Sequence, residues 1–118
     1  MIVIYLNPNQ PKDTYDKKLK EIIDTTEVYH FGEITVITER NPTVIRDMLQ
    51  FYKPYQFIVP SISDFEASPT MVSELILYAV SNLDISVTLL DDNLHFDILN
   101  ALDIYPKVFE QYKTPTES

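Results

Sequence analysis

Short apolar runs and helical spacings alternate along this chain. Residues Met1 to Leu6 form a continuous β-rich run closed by Asn7-Pro8-Asn9, which predicts a buried strand and a turn. Pro11 stands where a first helical residue belongs, and Tyr15, Leu19, Ile22 and Ile23 follow at helical spacing up to Thr25-Thr26. Val28 to Thr38 is again β-rich, with Val28, Ile34, Val36 and Ile37 as core candidates. Gly32, the only glycine, marks a bend or bulge inside it. Asn41-Pro42 is a cap followed by a first helical residue. Val44, Ile45, Met48, Leu49 and Tyr52 then make an amphipathic helix that stops before Pro54. Gln56 to Val59 lacks polar alternation, as a strand covered on both faces does.

Ser68-Pro69 repeats the cap-then-proline signal. It opens a helix whose buried stripe is Val72, Leu75, Ile76, Ala79 and Val80, with Ser73 and Glu74 facing out. Ile85 to Leu90 reads as the next strand. Asp97 caps a last helix carrying Ile98, Leu99, Leu102 and, beyond Pro106, Val108 and Phe109. Strands alternating with helices call for right-handed crossovers. The expected fold is therefore α/β and three-layered, with a mostly parallel sheet of four to five strands and helices on both faces. Residues 1–113 are expected to form one domain and 114–118 a disordered tail.

A chain of 118 residues is long enough for a real core, and 45% hydrophobic residues is more than disordered segments carry, so one folded domain is expected. No apolar run approaches the ~18 residues that span a bilayer, and Ile2 to Leu6 is too short for a signal peptide. A cytoplasmic protein without membrane contact is expected. The chain has no cysteine, which excludes thiol catalysis and thiolate metal sites.

Charge narrows the function classes. The formal net charge is -9, against the basic face that a nucleic-acid binder needs to neutralise phosphates. Between Pro54 and Pro106 there is no Lys or Arg, whereas Lys12, Lys17, Lys18 and Lys20 crowd the first predicted helix. An acidic face of this kind either keeps a protein soluble or docks on a basic partner, such as a DNA-binding protein.

The run from Asn41 to Asp97 resembles the catalytic domain of the serine recombinases (the resolvase/invertase family). Asn41-Pro42, Gln56-Phe57-Ile58-Val59-Pro60, Ser61 to Ala67, Pro69 to Asn82 and Ile85 to Asp92 follow that family's order of elements. The resemblance implies a resolvase-like fold. It also implies a Tyr-x-Arg-x-Ser pattern at the end of the first strand, where this chain reads Tyr5-Leu6-Asn7-Pro8-Asn9. Asn7 takes the place of the arginine and Asn9 that of the nucleophilic serine; an asparagine has no hydroxyl to attack a phosphodiester. After the third strand, Ser63 falls at the family's aspartate, Asp64 at an arginine and Ala67 at a second arginine. Phosphoryl transfer needs cations around the phosphate, and a carboxylate at Asp64 inverts that clamp. The vestigial positions Tyr5, Asn7, Asn9, Ser63, Asp64 and Ala67 thus imply a catalytically inactive scaffold. The family also carries a long dimerising helix, and Pro106 is expected to interrupt the region where that helix would run.

Other constellations carry less. His30 and His95 each adjoin a phenylalanine and have no ligand partner at metal-site spacing, so structural or surface roles are expected. Asp91-Asp92 reads as a strand-end turn, with a hard cation as the alternative. Ser61 and Ser63 lack a nucleophile elbow, and no glycine-rich loop exists to cradle a nucleotide. Phe51, Tyr52, Tyr55 and Phe57 read as core and helix-end packing. Neither a cofactor nor a metal is expected, and no direct nucleic-acid contact. The leading expectation is a regulatory protein-interaction module, of the kind a phage or mobile element carries. It would bind a basic or DNA-binding protein through Asp64, Glu66, Asp91 and Asp92, with a homodimer left open. The alternatives are an acidic DNA mimic that inhibits a nuclease or DNA-binding protein, and a metal-dependent enzyme using the same carboxylates.

Overall fold

The computed structural model describes residues 1–26, 33–65 and 67–112. Its order is β1 (Ile2–Tyr5), α1 (Lys12–Thr26), β2 (Ile34–Ile37), α2 (Pro42–Tyr52), β3 (Gln56–Val59), α3 (Pro69–Asn82), β4 (Ser86–Leu89), β5 (Leu94–Phe96) and α4 (Ile104–Gln111). One turn of 3-10 helix, Ile62–Asp64, precedes α3, and a longer 3-10 segment, Ile98–Asp103, leads into α4. The expected bend at Gly32 and the core role of Val28 lie outside the described residues, as does the expected tail.

The architecture is α/β with a five-stranded, mostly parallel sheet in the order β2-β1-β3-β4-β5. The first four strands are parallel, with Val3 opposite both Thr35 and Phe57, and Phe57 opposite Val87. β1 lies inside the sheet, between β2 and β3, and every residue from Ile2 to Leu6 has 0% exposure. From β1 the chain steps to one side to make β2, then crosses back to make β3 and continues outward to β4. Right-handed crossovers in opposite directions must put α1 and α2 on opposite faces. Ile2, Ile4 and Ile58 accordingly pack with Ile22 and Leu19 of α1, and Val3, Tyr5 and Phe57 with residues of α2, α3 and α4.

Three helices therefore share one face and a single helix covers part of the other. The local signals that start them work as the sequence predicts. Asn41 accepts from the Thr43 N–H at 2.9 Å, and Ser68 from the Met71 N–H at 3.2 Å, each ahead of a proline in the first turn. The stop of α2 is Lys53, which takes a left-handed conformation (φ 50°) and donates its N–H to the Leu49 carbonyl.

Several expectations need correction. Ser73 does not face out. It is fully buried on α3, and its hydroxyl finds no partner. Val44 is 40% exposed and Phe51 80% exposed, so the buried face of α2 is Pro42, Ile45 and Leu49, and Phe51 and Tyr55 are not core. The strand expected over Ile85 to Leu90 is followed by an unpredicted β5, antiparallel to β4, after a turn in which Asn93 is left-handed (φ 53°). Asp97 does cap the last helical segment: it accepts from Leu99 N–H, while Asn100 accepts from Asp97 N–H, a reciprocal capping box. Of the apolar residues expected on that segment, however, only Val108 is buried. Ile98, Leu99 and Leu102 are exposed, and Ile104 and Val108 are buried. Pro106 does not interrupt α4, because it sits in the first turn, where its missing N–H has no intrahelical acceptor to lose. Among the described residues, no helix is long and apolar enough to cross a membrane.

A buried hydroxyl without a partner costs about 1–3 kcal/mol in desolvation, and alanine is the better helix former. Ser73→Ala is expected to raise stability by roughly 0.5–1 kcal/mol in urea unfolding, with the slope unchanged. A loss of stability would mean that the hydroxyl is bonded in solution.

Candidate functional site

In a sheet of this order, the chain leaves neighbouring strands in opposite directions at one place only, between β1 and β3. The loops beyond the carboxyl ends of those strands open a crevice there. Asn7-Pro8-Asn9 and the stretch after Val59 leave from this point, so the topology itself brings together positions that lie more than fifty residues apart.

Tyr5 ends β1 and is wholly buried. Its hydroxyl donates to the Asp64 carbonyl at 3.2 Å, and its ring stacks on Phe65 with centroids 5.4 Å apart and planes at 23°. The tyrosine thus ties the Ile62–Asp64 turn to the end of β1. Asn7 follows. Its Oδ1 accepts from the Asn9 N–H at 2.9 Å, and its side chain favours the ionised form of the Asp64 carboxyl. Asn9 turns away from this contact. With Pro8, Thr38, Arg40 and Tyr52 it lines an open groove of about 790 Å³ at the carboxyl ends of β1 and β2.

Asp64 is half-buried. Burial pushes its carboxyl above the ordinary aspartate value. A Ser61 backbone hydrogen bond opposes this, Asp91 pushes the same way, and Lys18 and Asn7 pull it down. Lys18 reaches over from α1 and donates to both carboxylate oxygens of Asp91, at 2.9 and 3.2 Å, with Glu21 3.7 Å away. Burial works against the Lys18 ammonium, but the hydrogen bond and charge of Asp91, helped by Glu21, outweigh it and raise its pKa.

Asp92 is spoken for by the backbone. Its Oδ2 accepts from the Ile62 N–H at 2.7 Å, and the Asp91 N–H donates to the Pro60 carbonyl at 2.7 Å. The loop after β4 is thereby pinned to the loop after β3. Ala67 is half-buried, and its carbonyl accepts from the Tyr112 hydroxyl at 3.3 Å. Burial raises the pKa of that phenol, and the charge of Asp92 adds to it.

Of the positions singled out in the sequence, Tyr5, Asn7, Asp64, Asp91 and Asp92 come together, Ala67 anchors the far side, and Asn9 opens onto the neighbouring groove. Ser63 lies in the 3-10 turn; its side chain and the whole of Glu66 are outside the described residues. Lys18 and Tyr112 are parts of the site that sequence reading missed. Lys18 was one of four lysines on a helix, and only its position 2.9 Å from Asp91 sets it apart. A DNA mimic needs free carboxylates in a phosphate-like row, and the engagement of Asp91 and Asp92 argues against that arrangement. Among the described residues, no three His, Cys, Asp or Glu side chains are placed to hold a metal ion.

His95 belongs elsewhere. On the half of the sheet that α1 leaves uncovered, Gln56 donates to Thr88 at 3.1 Å, and the Thr88 hydroxyl shares a hydrogen with His95 Nδ1 at 2.9 Å. The other ring nitrogen lies 3.9 Å from Asp97. This polar row crosses three strands and explains why β4 alternates outward Ser86 and Thr88 with inward Val87 and Leu89.

Comparison of the chain with family models, with curated proteins and with solved structures gives no match.

Two stability measurements probe the crevice. Asp64 titrates above its unfolded value, so its ionised form costs stability. That cost is absent below about pH 3.9, the unfolded value, and is fully felt once the pH exceeds the folded value. Asp64→Asn keeps an acceptor oxygen, and is expected to melt higher than the parent at pH 7 and to lose that advantage by pH 3. Asp92→Ala orphans the Ile62 N–H and is expected to cost about 1–2 kcal/mol. An unchanged denaturation midpoint would remove Asp92 from the account.

Proposed function

We propose that this chain is a serine-recombinase-like scaffold that performs no phosphoryl transfer and serves as a protein-binding, regulatory module. One observation carries the reading: at the sheet's topological switch point the groups that converge are the Asn7 amide, the carboxyls of Asp64, Asp91 and Asp92, and one lysine already engaged by a carboxylate. A scissile phosphodiester requires a nucleophile and cations around its non-bridging oxygens. In their place stand Asn7, a carboxyl at Asp64 and the small side chain of Ala67. Burial is the main reason the Asp64 carboxyl lies above its ordinary value, with the charge of Asp91 adding to it, and a phosphate brought beside these two carboxylates would be repelled.

The same field favours a cationic ligand. Asp64 and Asp91 face the crevice together, and the stretch from Pro54 to Pro106 supplies no basic residue to neutralise them beyond the reach of Lys18. A protein presenting Lys or Arg, such as a DNA-binding protein, is the partner class with the right charge. A recombinase partner encoded on the same mobile element would be one source of such a surface.

The reading is tested in two arms. Incubation with supercoiled plasmid is expected to leave the DNA uncut and to yield no detergent-stable protein–DNA adduct; an adduct would overturn the proposal. In the second arm, partners retained from the source cells are compared for the parent and for the combined Asp64→Asn, Glu66→Gln, Asp91→Asn and Asp92→Asn variant, folded by circular dichroism. Retention is expected to fall about tenfold or more, which is roughly 1.4 kcal/mol. Equal retention would reject the acidic crevice as the binding face.

A further inference from the structure

A hydroxyl, an imidazole and a carboxylate stand side by side on the open half of the sheet, apart from the crevice. Strand register puts them there. Thr88 of β4 is paired directly with His95 of β5, so both side chains leave the same face. Asp97 lies two residues beyond His95 in extended backbone, which returns its side chain to that face. Gln56 reaches in from β3 on the other side of Thr88.

The contacts around the Thr88 hydroxyl set the direction of its proton. Gln56 Nε2 donates to Thr88 Oγ1 at 3.1 Å and takes up one lone pair. His95 Nδ1 lies 2.9 Å from the same oxygen, and His95 Nε2 lies 3.9 Å from Asp97 Oδ2. A carboxylate on that side of a neutral imidazole favours the proton on Nε2. Nδ1 is then the acceptor, and the Thr88 O–H donates to it.

Local bonds hold these parts in place. Asp97 Oδ1 accepts from the Leu99 N–H, which leaves Oδ2 to the ring. Asn100 bonds the His95 carbonyl and the Asp97 N–H, each at 2.8 Å, and so fixes the backbone that carries both side chains. The β-branch of Thr88 restricts χ1 and keeps its hydroxyl aimed. Folding gains little in return. The His95 side chain is 52% exposed and that of Asp97 37%, so water screens their attraction.

The arrangement has a chemical use. A hydroxyl that donates to an imidazole, with a carboxylate behind the second ring nitrogen, is the set of groups with which unrelated folds cleave acyl bonds. The Gln56 amide, 3.1 Å from the attacking oxygen, is close enough to donate to the oxyanion that forms beside it. An open depression of about 130 Å³ adjoins Thr88 and His95 and is lined by Leu90, Asn93 and Leu94. It offers a short acyl chain apolar contact. Asp97 beside the ring disfavours a negatively charged one.

We propose that Thr88, His95 and Gln56, with Asp97 as a positioning residue, form a hydrolytic site for neutral esters of short carboxylic acids. The inference goes beyond the protein-binding reading and does not depend on it. Thr88 Oγ1 attacks the ester carbonyl carbon as its proton passes to His95 Nδ1. The tetrahedral intermediate collapses with cleavage of the bond to the alcohol oxygen, and the alcohol leaves with the proton from Nδ1. Water then attacks the acyl-threonine, giving one proton to Nδ1. The carboxylic acid departs, and Thr88 Oγ1 recovers its proton from His95.

The probe is p-nitrophenyl acetate with the purified chain. Hydrolysis is expected at about a hundredfold the rate of equimolar free imidazole, with an acetyl group found by mass spectrometry on the peptide that contains Thr88. Thr88→Val, close to threonine in shape, and His95→Gln are each expected to lower the rate about tenfold or more, whereas Thr88→Ser keeps it within a few-fold. Asp97→Asn retains the capping oxygen and is expected to lower kcat about tenfold with KM unchanged, a split that a merely structural role would not produce. A rate no higher than that of imidazole would overturn the proposal. So would a Thr88→Val variant as fast as its parent, or acetyl groups on lysines alone, since an exposed imidazole or amine would then account for the turnover. An Asp97→Asn variant with the parent kcat would overturn it too, because the ring would need no carboxylate. Thr88→Ser guards against a valine variant that fails through misfolding: an inactive serine variant with the parent's circular dichroism would overturn the assignment of the hydroxyl.

Discussion

The completely buried interior strand β1 is the constraint on which the rest depends. Ile2 to Leu6 have no contact with solvent on either face, and each large apolar side chain so placed contributes roughly 1.5–3 kcal/mol. A strand covered on both faces needs a helix layer on each side and a partner on each edge. β2 and β3 supply the edges, and α1 and α2 supply the layers. The order of the sheet and the place of its crevice follow from meeting that requirement with right-handed crossovers.

Tyr5 carries this constraint into the candidate site. It is the one residue of the strand with a polar tip, and its hydroxyl fixes the Asp64 carbonyl while its ring holds Phe65. The turn after β3 is thus registered against β1 by a buried side chain, and the loop after β4 is registered against that turn by Asp92. Backbone contacts tie these loops together, and the side chains that remain are Asp64, the Asp91–Lys18 pair and the Asn7 amide. Their two carboxylates and that of Asp92, with one ammonium, make a field that attracts cations and repels phosphate.

Much of the fold was legible. The caps at Asn41, Ser68 and Asp97 work because a side-chain oxygen next to a first helical turn is a local device that needs no tertiary help. The apolar runs of β1 and β3 were readable because a strand buried on both faces cannot alternate. What failed shares a cause. Ser73, Val44, Leu99 and Leu102 are positions at which helical spacing allows two adjacent faces, and only the packing of α2, α3 and α4 against one another decides which is buried. β5 has three residues and no apolar run of its own, so its pairing with β4 exists only through the turn at Asn93.

The site divides in the same way. Composition alone determined that Asn7 and Asn9 cannot be nucleophiles, that no thiol takes part, and that the stretch from Pro54 to Pro106 is acidic without basic relief. These are properties of side-chain chemistry and hold in any fold. That Lys18 meets Asp91 across 73 residues, that Asp92 serves the Ile62 backbone, and that the last helix turns Leu99 and Leu102 outward were decided by tertiary structure. Each depends on which loops share the carboxyl edge of the sheet and which helix face finds a neighbour, and long-range proximity of that kind leaves no trace in local spacing.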